Sequence, residues 1–524
     1  MRHAVPRTVS VHRDHVGWLA AAAVFLLALA LRLHGLGDKP YWLDEVTTLR
    51  RSALALVPLV RDSLAFHHLP LFFLVESPIE RFGLGPFAMR LPAALFGALA
   101  CALLVPIGRD ASGRAPGLSA GLSVGLAAGL LAALSPFQVQ YAQEARSYTL
   151  VLCFILIGIW GVVRLVRAPS GERSGWLLYA IGTALALDTL SVALFWFAAA
   201  QLCAALIAAT RVGPGGRRWF VRRWLPVQAL VLLVYLPFVF TMIVLTRGRM
   251  GSGLDWVRPA SVHSVSTILQ SVYLLRRSSL IAFRVFPGPL DIGGLPWPGL
   301  CVLALVVLGV LLRRRETAVQ VLLITALALP VGIALCSLHS SLWMPRYLMW
   351  SGPILFLLAG LGVSSLSARA RPPALALIAV LGLVNLWPYY ATETKPLWNE
   401  AAAFLRDNRL PGDLLLVDDP ASVEMMNIQL DPRAVLAGRI PAGGFAPGDW
   451  TGDVDTALAA QRAGRRVWAV HGKVGQNDST TLGALLREAA PLGETAERRR
   501  IGLDITLLRF APAAPRGSLG KAAP

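Results

Sequence analysis

The chain has 524 residues, of which 55% are hydrophobic and only 15% are charged, and its mean hydropathy is +0.59. Soluble domains carry about 25% charged residues, so this composition excludes a soluble globular protein and indicates an integral membrane protein. The net charge of +19 does not indicate nucleic-acid binding, because the lysines and arginines fall largely in short loops between apolar runs, where membrane proteins concentrate them on the cytoplasmic side.

The five cysteines predict neither a disulfide framework nor a metal site. They lie within or at the ends of apolar runs, and no pair has the Cys-x-x-Cys spacing of zinc ligands. We expect them to pack between helices.

The first apolar run, residues 16–36, is long enough to cross a bilayer, which takes about 20 residues. A segment with three arginines precedes it, and its end lacks the small residues of a signal-peptide cleavage site. We interpret it as an uncleaved first span with its N-terminus in the cytoplasm. The following loop, residues 37–87, then lies outside.

Residues 41–45, Tyr-Trp-Leu-Asp-Glu, place two adjacent carboxylates beside two aromatic rings at the mouth of this helix. Charged side chains are costly near lipid, so Asp44 and Glu45 are candidates for a functional role. The alternative is that they are ordinary headgroup-level acids beside an aromatic belt. These five residues alone leave both interpretations open.

Residues 69–85 are apolar, but Glu76, Glu80 and Arg81 interrupt them. If this segment crossed the membrane, the basic loops that follow would lie outside. If it lies flat as an amphipathic helix in the outer interface, those loops fall inside, as the charge rule requires. We therefore expect an interfacial helix.

The fold class is accordingly an α-helical polytopic membrane protein with about eleven transmembrane helices, the N-terminus inside and the C-terminus outside. The boundary between the predicted spans 176–188 and 191–210 depends on Asp188 and Thr189, since no other residues indicate a turn there. The predicted spans are residues 16–36, 88–107, 117–134, 148–166, 176–188, 191–210, 225–245, 298–312, 318–337, 348–366 and 373–390.

The composition changes near residue 392, where charged and apolar patches begin to alternate. We predict a transmembrane domain at 1–391, an extracytoplasmic α/β domain at 392–512 and a disordered tail at 513–524. The outer loops of the first domain are 37–87, 135–147 and 246–297. Periodicity and stop signals in the second domain predict helices at 398–409 and 482–489 and strands at 413–418, 466–471 and 501–510.

Two further polar segments share the outer face with residues 41–45. In residues 135–148, Arg146 lies where a helix re-enters the membrane from outside, a place where the charge rule makes an arginine unexpected. It either forms a salt bridge to Glu144 or Glu45, or binds an anion, since a guanidinium matches a phosphate bidentately.

A second outer arginine, Arg346, also precedes an inward helix, and the loop 246–297 contributes more, including Arg258. The outer face thus combines an acidic pair with an excess of arginine at lipid depth. This combination predicts a lipid phosphate as ligand.

Four motifs follow one another within residues 30–150. They are residues 41–45, His-Leu-Pro-Leu-Phe-Phe-Leu at 68–74, Phe-Ala-Met-Arg-Leu-Pro-Ala-Ala-Leu-Phe-Gly at 87–97, and Leu-Ser-Pro-Phe followed by Gln-Glu-Ala-Arg-Ser-Tyr within 134–148. In this order they resemble the bacterial membrane glycosyltransferases of the GT-C superfamily, the relatives of dolichyl-phosphate-mannose–protein mannosyltransferase and aminoarabinose transferase. Weaker matches follow at 344–348, 395–405 and 411–413.

The resemblance implies a sugar transferase that uses a polyprenyl-phosphate-linked donor on the outer face of the bacterial cytoplasmic membrane. The first-loop acid of that family matches Asp44, with Glu45 beside it, and the re-entry arginine matches Arg146. Leu150 stands where some relatives carry a further aspartate, and Leu69 interrupts the usual His-Pro-Pro. The first departure argues against a second essential carboxylate or a metal site, and the second is small.

The chemistry fits the residues. A carboxylate near the acceptor hydroxyl can act as general base, and Asp44 is the first choice for it, with Glu45 second. Arginines stabilise the leaving phosphate, and attack opposite the phosphate inverts the anomeric carbon. The candidate phosphate ligands are Arg146, Arg346 and Arg258, and the other candidate site residues are Tyr41, Trp42, His67, His68, Gln143, Glu144, Tyr148 and Tyr347.

The expected partners are the lipid-linked donor, the bilayer and an acceptor that is a lipid, a glycan or a protein. We expect no cofactor, because the outer histidines lack the spacing of a zinc site. The alternative is a divalent metal ion bound by outer histidines such as His67 and His68 together with Glu76 or Glu144. The alternatives are a transporter or flippase of a polar lipid or lipid-linked sugar, and a non-catalytic scaffold. A transporter would carry ionisable residues at mid-membrane, whereas here the polar clusters lie at one interface.

Overall fold

The computed structural model describes residues 7–112, 118–169, 173–247, 257, 259–281, 284–474 and 481–510. Most of the chain before residue 392 is helical. Its helices are α1 (Arg7–Leu33), α2 (Leu43–Ser52), α3 (Leu56–Ala65), α4 (Leu71–Glu80), α5 (Pro86–Ala111), α6 (Leu118–Leu134), α7 (Pro136–Ala142), α8 (Tyr148–Arg167), α9 (Arg173–Leu187), α10 (Ala193–Ile207), α11 (Gly216–Trp219), α12 (Leu225–Leu245), α13 (Val262–Tyr273), α14 (Trp297–Arg313), α15 (Thr317–Cys336), α16 (Ser351–Ser364) and α17 (Arg371–Leu386). Between α13 and α14 the strands β1 (Arg277–Ser278) and β2 (Val285–Phe286) pair, as do β3 (Asp291–Ile292) and β4 (Leu295–Pro296).

An apolar helix lies at each of the eleven predicted spans. Of the described residues, six helical segments are long and apolar enough to cross a membrane, or seven if the bent pair of α6 and α7 is one span. These segments support a polytopic membrane protein. The number of eleven crossings stays a prediction, because several of the helices are short.

The segment 176–210 forms two helices with a break at 188–192. Trp196 Nε1 of α10 donates to Thr183 Oγ1 of α9 across this break, at 3.0 Å. α10 and α12 also lie side by side, because Gln201 Nε2 of α10 donates to Gln228 Oε1 of α12 at 3.2 Å. The direction of the chain therefore reverses at both turns.

Glycines allow the apolar helices to pack closely. A Cβ on Gly108 of α5 would lie 2.6 Å from the backbone nitrogen of Gly125 in α6. A Cβ on Gly362 of α16 would overlap the carbonyl oxygen of Leu305 in α14. Small residues at such contacts let helix backbones approach each other within a membrane.

We expect Gly362→Val to lower the free energy of unfolding by about 1–3 kcal/mol or more, because overpacking forces the neighbouring backbone to move. Gly215→Ala is the control, since the nearest atom to its Cβ would be 3.7 Å away. The measurement is the thermal unfolding midpoint of each purified variant in the same detergent. Equal midpoints for Gly362→Val and the wild type would contradict this account of the α14–α16 contact.

The ends of several long helices gather at one end of the bundle and carry basic residues. Arg167 at the end of α8 binds Asp110 of α5 at 2.5 Å. Arg211, beyond α10, donates to the Val166 carbonyl at 2.8 Å, and Arg313 of α14 donates to a backbone carbonyl beyond the end of α5. The basic clusters thus share one end of the bundle, while residues 41–45 and 135–148 meet at the other.

Two outer segments differ from their predicted form. The predicted helix 69–85 is shorter, since α4 covers only Leu71–Glu80, and α2 and α3 fill much of the loop before it. The predicted loop 135–147 is partly helical: Ser135 caps α7 by accepting from the Gln138 backbone N–H. α7 is bent by 64° from α6, and its residues are buried. A cap followed by proline at the first helical position favours such a short helix.

The C-terminal part contains the strands β5 (Leu414–Val417), β6 (Trp450–Thr451), β7 (Val467–Gly472), β8 (Thr495–Ile501) and β9 (Ile505–Phe510). They form one sheet in the order β6-β5-β7-β9-β8. The prediction of one strand at 501–510 was wrong at its start, because Ile501 ends β8 and a turn separates it from β9. The predicted tail 513–524 lies outside the described residues. The helices of this part are α18 (Trp398–Asn408), α19 (Ala421–Leu430), α20 (Pro432–Leu436), α21 (Val454–Arg462) and α22 (Leu482–Glu488).

Candidate active site

The first turn of α2 carries the two adjacent carboxylates, Asp44 and Glu45. The unpaired backbone N–H groups at a helix N-terminus favour acidic side chains there. Successive helical residues are about 100° apart, so the two carboxylates point in different directions. Glu45 is completely buried, whereas the side chain of Asp44 is 24% exposed. Of these two carboxylates, Asp44 is therefore the one that a substrate can reach.

Glu45 is held on all sides by the protein. Arg90 of α5 binds both of its oxygens, at 2.7 and 2.9 Å, and the backbone N–H of Ala145 donates to it at 3.0 Å. Lys395 lies 2.9 Å away. Burial opposes ionisation of this carboxyl, but Arg90 and Lys395 outweigh it and lower the pKa of Glu45 to about 2. Glu45 thus fixes α2 to α5 and to the segment after α7.

Lys395 lies between two buried carboxylates. Its Nζ is 2.9 Å from Glu45 and 3.0 Å from Glu144, and its own side chain is only 2% exposed. Trp42 Nε1 donates to the second oxygen of Glu144. Burial and the charge of Glu45 raise the pKa of the Glu144 carboxyl, while Lys395 opposes this rise. The start of the C-terminal part is thereby tied to both predicted outer segments.

Two buried arginines flank Asp44. Arg346 NH1 lies 3.0 Å from its carboxylate, and Arg146 Nε lies 3.9 Å from the same oxygen. Arg146 NH1 also donates to the Asp44 carbonyl at 3.3 Å and to Thr48 Oγ1 at 3.4 Å. The predicted grouping of Asp44 with both arginines is therefore present, and the cluster carries one more positive than negative charge.

Aromatic rings surround the two guanidinium groups. Arg346 lies 5.9 Å from the ring centre of Trp42 and 5.8 Å from that of Tyr347, and Arg146 lies 5.9 Å from that of Tyr148. Such contacts favour a cation over a ring face, more so where water is excluded. The rings thus contribute to the burial of both guanidinium groups.

His68 and Arg51 lie close to this cluster. His68 Nδ1 donates to the Phe66 carbonyl at 2.7 Å, so Nε2 is the acceptor of the neutral ring. Burial, together with the positive charges of Arg146 and Arg51, lowers the pKa of His68 to about 3. The imidazole is therefore neutral at physiological pH. Its neighbour His67 has a left-handed backbone, with φ of 61°, which turns the chain into the segment before α4.

Other predicted site residues hold the fold. The Tyr41 hydroxyl donates to the Leu84 carbonyl at 2.7 Å, and the Gln143 amide donates to the carbonyls of Arg32 and His34. Arg258 lies outside the described residues. Among the residues that are described, no group of three or more His, Cys, Asp and Glu side chains is arranged to hold a metal ion.

No protein-family model and no curated protein matches the amino-acid sequence of the chain. Comparison of structure finds ArnT of Cupriavidus metallidurans in the apo state. The TM-score is 0.53 at 16% sequence identity, over 95% of this chain and 98% of ArnT. The chain has the fold of ArnT.

Two further solved structures share this fold. One is the same ArnT bound to undecaprenyl phosphate, with a TM-score of 0.53, 16% identity and coverage of 94% of this chain and 98% of that one. The other is the oligosaccharyltransferase of Archaeoglobus fulgidus in complex with zinc and sulfate, with a TM-score of 0.52, 12% identity and coverage of 86% and 67%. At such low identity the likeness concerns the fold.

Arg90 and Lys395 were not among the predicted site residues, although both lie in motifs that resemble GT-C enzymes. The apolar sequence around Arg90 indicated only a span, and Lys395 is 350 residues away from Glu45 along the chain. One signal was available: Arg90 is a charged residue just inside a predicted span, and such residues are normally paired.

Proposed function

We propose that the protein transfers a sugar from a polyprenyl-phosphate-linked donor to an acceptor hydroxyl. The observation that carries this proposal is the accessible carboxylate of Asp44 between the buried guanidinium groups of Arg346 and Arg146. Phosphate oxygens accept bidentate hydrogen bonds from guanidinium groups, and the excess positive charge of the cluster suits them. The undecaprenyl phosphate bound to ArnT of C. metallidurans, a protein of the same fold, supports a lipid phosphate as this anion.

In the proposed reaction Asp44 accepts the proton of the acceptor hydroxyl. The acceptor oxygen forms a bond to the anomeric carbon of the donor, and the bond from that carbon to the phosphate oxygen breaks. The electron pair leaves on the phosphate, where Arg146 and Arg346 stabilise the growing charge. Attack from the face opposite the phosphate inverts the anomeric carbon, as in inverting glycosidases.

We also propose eleven crossings, with the N-terminus in the cytoplasm and the C-terminal part outside. The gathering of Arg167, Arg211 and Arg313 at the end of the bundle opposite Asp44 supports this orientation, because cytoplasmic loops are enriched in arginine. Asp44 then faces the extracytoplasmic side of the bacterial cytoplasmic membrane, where a lipid-linked donor and an envelope acceptor meet.

The test uses the purified full-length chain with a panel of labelled polyprenyl-phosphate sugars. A membrane and envelope extract supplies lipid, glycan and protein acceptors. We expect one sugar of the panel to be transferred and the polyprenyl phosphate to be released, only when the extract is present. Absence of transfer from every donor in the panel would overturn the proposal and favour a transporter.

We expect Arg146→Lys and Arg346→Lys each to weaken binding of undecaprenyl phosphate, since lysine cannot donate in the bidentate geometry. Loss of one donor to a developing anion lowers the rate by about 10²- to 10³-fold. Binding is measured with radiolabelled undecaprenyl phosphate, and the rate is measured with the donor from the panel. Arg466→Lys is the control, because Arg466 binds Asp413 in the C-terminal sheet, at 2.6 Å. Unchanged binding in both site variants would contradict the assignment of the phosphate ligands.

A further inference from the structure

The neighbouring parallel strands β5 and β7 of the C-terminal sheet end at the same edge, and the position outside their carboxyl ends is called the crevice below. β5 lies between β6 and β7 and is parallel to both. The chain after β5 enters α19, which packs on one face of the sheet, while α22, the helix after β7, packs on the other face. The helices that follow these two neighbouring strands therefore lie on opposite faces of the sheet, and open α/β sheets bind ligands at such positions.

Polar side chains meet at this position. Asp418 follows β5, and His471 Nδ1 in β7 is 2.6 Å from Asp418 Oδ2. The two side chains are 5% and 13% exposed. Asp418 Oδ1 and the Oγ of Ser422, in the first turn of α19, are buried without a hydrogen-bond partner among the described residues. Buried polar atoms are normally paired, so these two atoms call for a partner that the described chain does not supply.

This edge of the sheet faces the membrane part of the chain. The turn 502–504 lies at the same edge, just before β9, and its Asp504 binds Arg284 at 2.7 Å. Glu424 of α19 binds Arg50 of α2 at 2.6 Å. Because α2 also carries Asp44, the crevice and the candidate active site adjoin one interface.

We propose that this crevice binds hydroxyl groups of a sugar that belongs to the acceptor; the assignment to the acceptor rests on the proposed function. Asp418 Oδ1 can only accept, and His471 Nε2 accepts when Nδ1 donates to Asp418. The Ser422 hydroxyl both donates and accepts. A phosphate brings only acceptors, and an ammonium group brings only donors. Sugar hydroxyls do both, and they match this set of atoms.

The test uses saturation-transfer NMR on the full-length protein in nanodiscs, with methyl glycosides of common hexoses and pentoses as probes. We expect at least one glycoside to bind. Asp418→Asn and Ser422→Ala are each expected to weaken its binding about tenfold or more, because hydrogen bonds to a buried polar group are lost. Asp407→Asn is the control, since Asp407 lies on the exposed surface of α18 and binds only its neighbour Arg406 among the described residues.

Binding of no glycoside, or equal binding by the wild type and both crevice variants, would overturn the proposal. Binding of labelled undecaprenyl phosphate is measured on the same samples to separate the two proposals. If the protein binds the glycoside but neither binds undecaprenyl phosphate nor transfers a sugar, the sugar site in the crevice is supported and the proposed function is wrong. If the protein binds undecaprenyl phosphate but no glycoside, the proposed sugar site in the crevice is wrong and the proposed function is not affected.

Discussion

Asp44→Asn is expected to lower the rate of sugar transfer by about 10²- to 10⁴-fold, the usual contribution of a general base. The carboxamide keeps the size of the side chain but cannot accept the acceptor proton. The buried arginines on either side remain, and Arg346 can still donate to the amide oxygen. We therefore expect Asp44→Asn to retain binding of undecaprenyl phosphate, so that the loss appears in the chemical step.

The rate of polyprenyl phosphate release and the binding of undecaprenyl phosphate are measured for Asp44→Asn and the wild type. Asp407→Asn makes the same chemical change on the exposed surface of α18 and should behave as the wild type. If Asp44→Asn transferred sugar at the wild-type rate, the base would have to be sought elsewhere. Glu45 and Glu144 are both less suited to this role, because both are buried and both are ion-paired with Lys395.

Much of the fold could be predicted because membrane helices leave a strong signal in the sequence. Each predicted span coincides with an apolar helix, and charge asymmetry between loops predicted that residues 41–45, Arg146 and Arg346 share one face. The contacts of Asp44 with both arginines agree with this prediction. Hydropathy and loop charge are local properties, so one sequence suffices to detect them.

The different roles of Asp44 and Glu45 could not be predicted in the same way. Adjacent carboxylates look equivalent in a sequence, and only the rotation of α2 decides that one reaches Arg346 while the other reaches Arg90. The partner Lys395 comes from a distant part of the chain, and no periodic pattern reports a contact over 350 residues. Packing between separate segments therefore decides which acid is structural.

A charge-rich strand was also missed. β8 reads Thr-Ala-Glu-Arg-Arg-Arg-Ile and lies at the edge of the sheet. Its charged side chains give it no apolar alternation, and the sequence therefore did not indicate a strand. Charged residues are nevertheless common on edge strands, where they prevent pairing with other chains. Strand β9, which is buried, showed the alternation and was predicted.

Lys395→Met is expected to lower the free energy of unfolding by about 3–5 kcal/mol, the cost of removing one partner of a buried ion pair. The substitution leaves Glu144 without its cation and removes one of the two cations that hold Glu45. Lys395→Arg keeps the positive charge and should recover part of the loss. The measurement is the thermal or denaturant unfolding of each variant in one detergent, with Lys473→Met as the control for loss of a lysine in the C-terminal part.

The decrease in the free energy of unfolding caused by Lys395→Met should depend on pH. Burial and the charge of Glu45 already raise the pKa of the Glu144 carboxyl in the folded protein, and loss of the lysine raises it further above its value in the unfolded chain. A carboxyl with a raised folded pKa binds its proton more tightly when folded, so stability increases as the pH falls. The difference between Lys395→Met and the wild type should therefore be smaller at pH 5 than at pH 8. A difference that is the same at both pH values would show that Lys395 stabilises the interface by packing, and that its charge has no part in holding the C-terminal part against the active site.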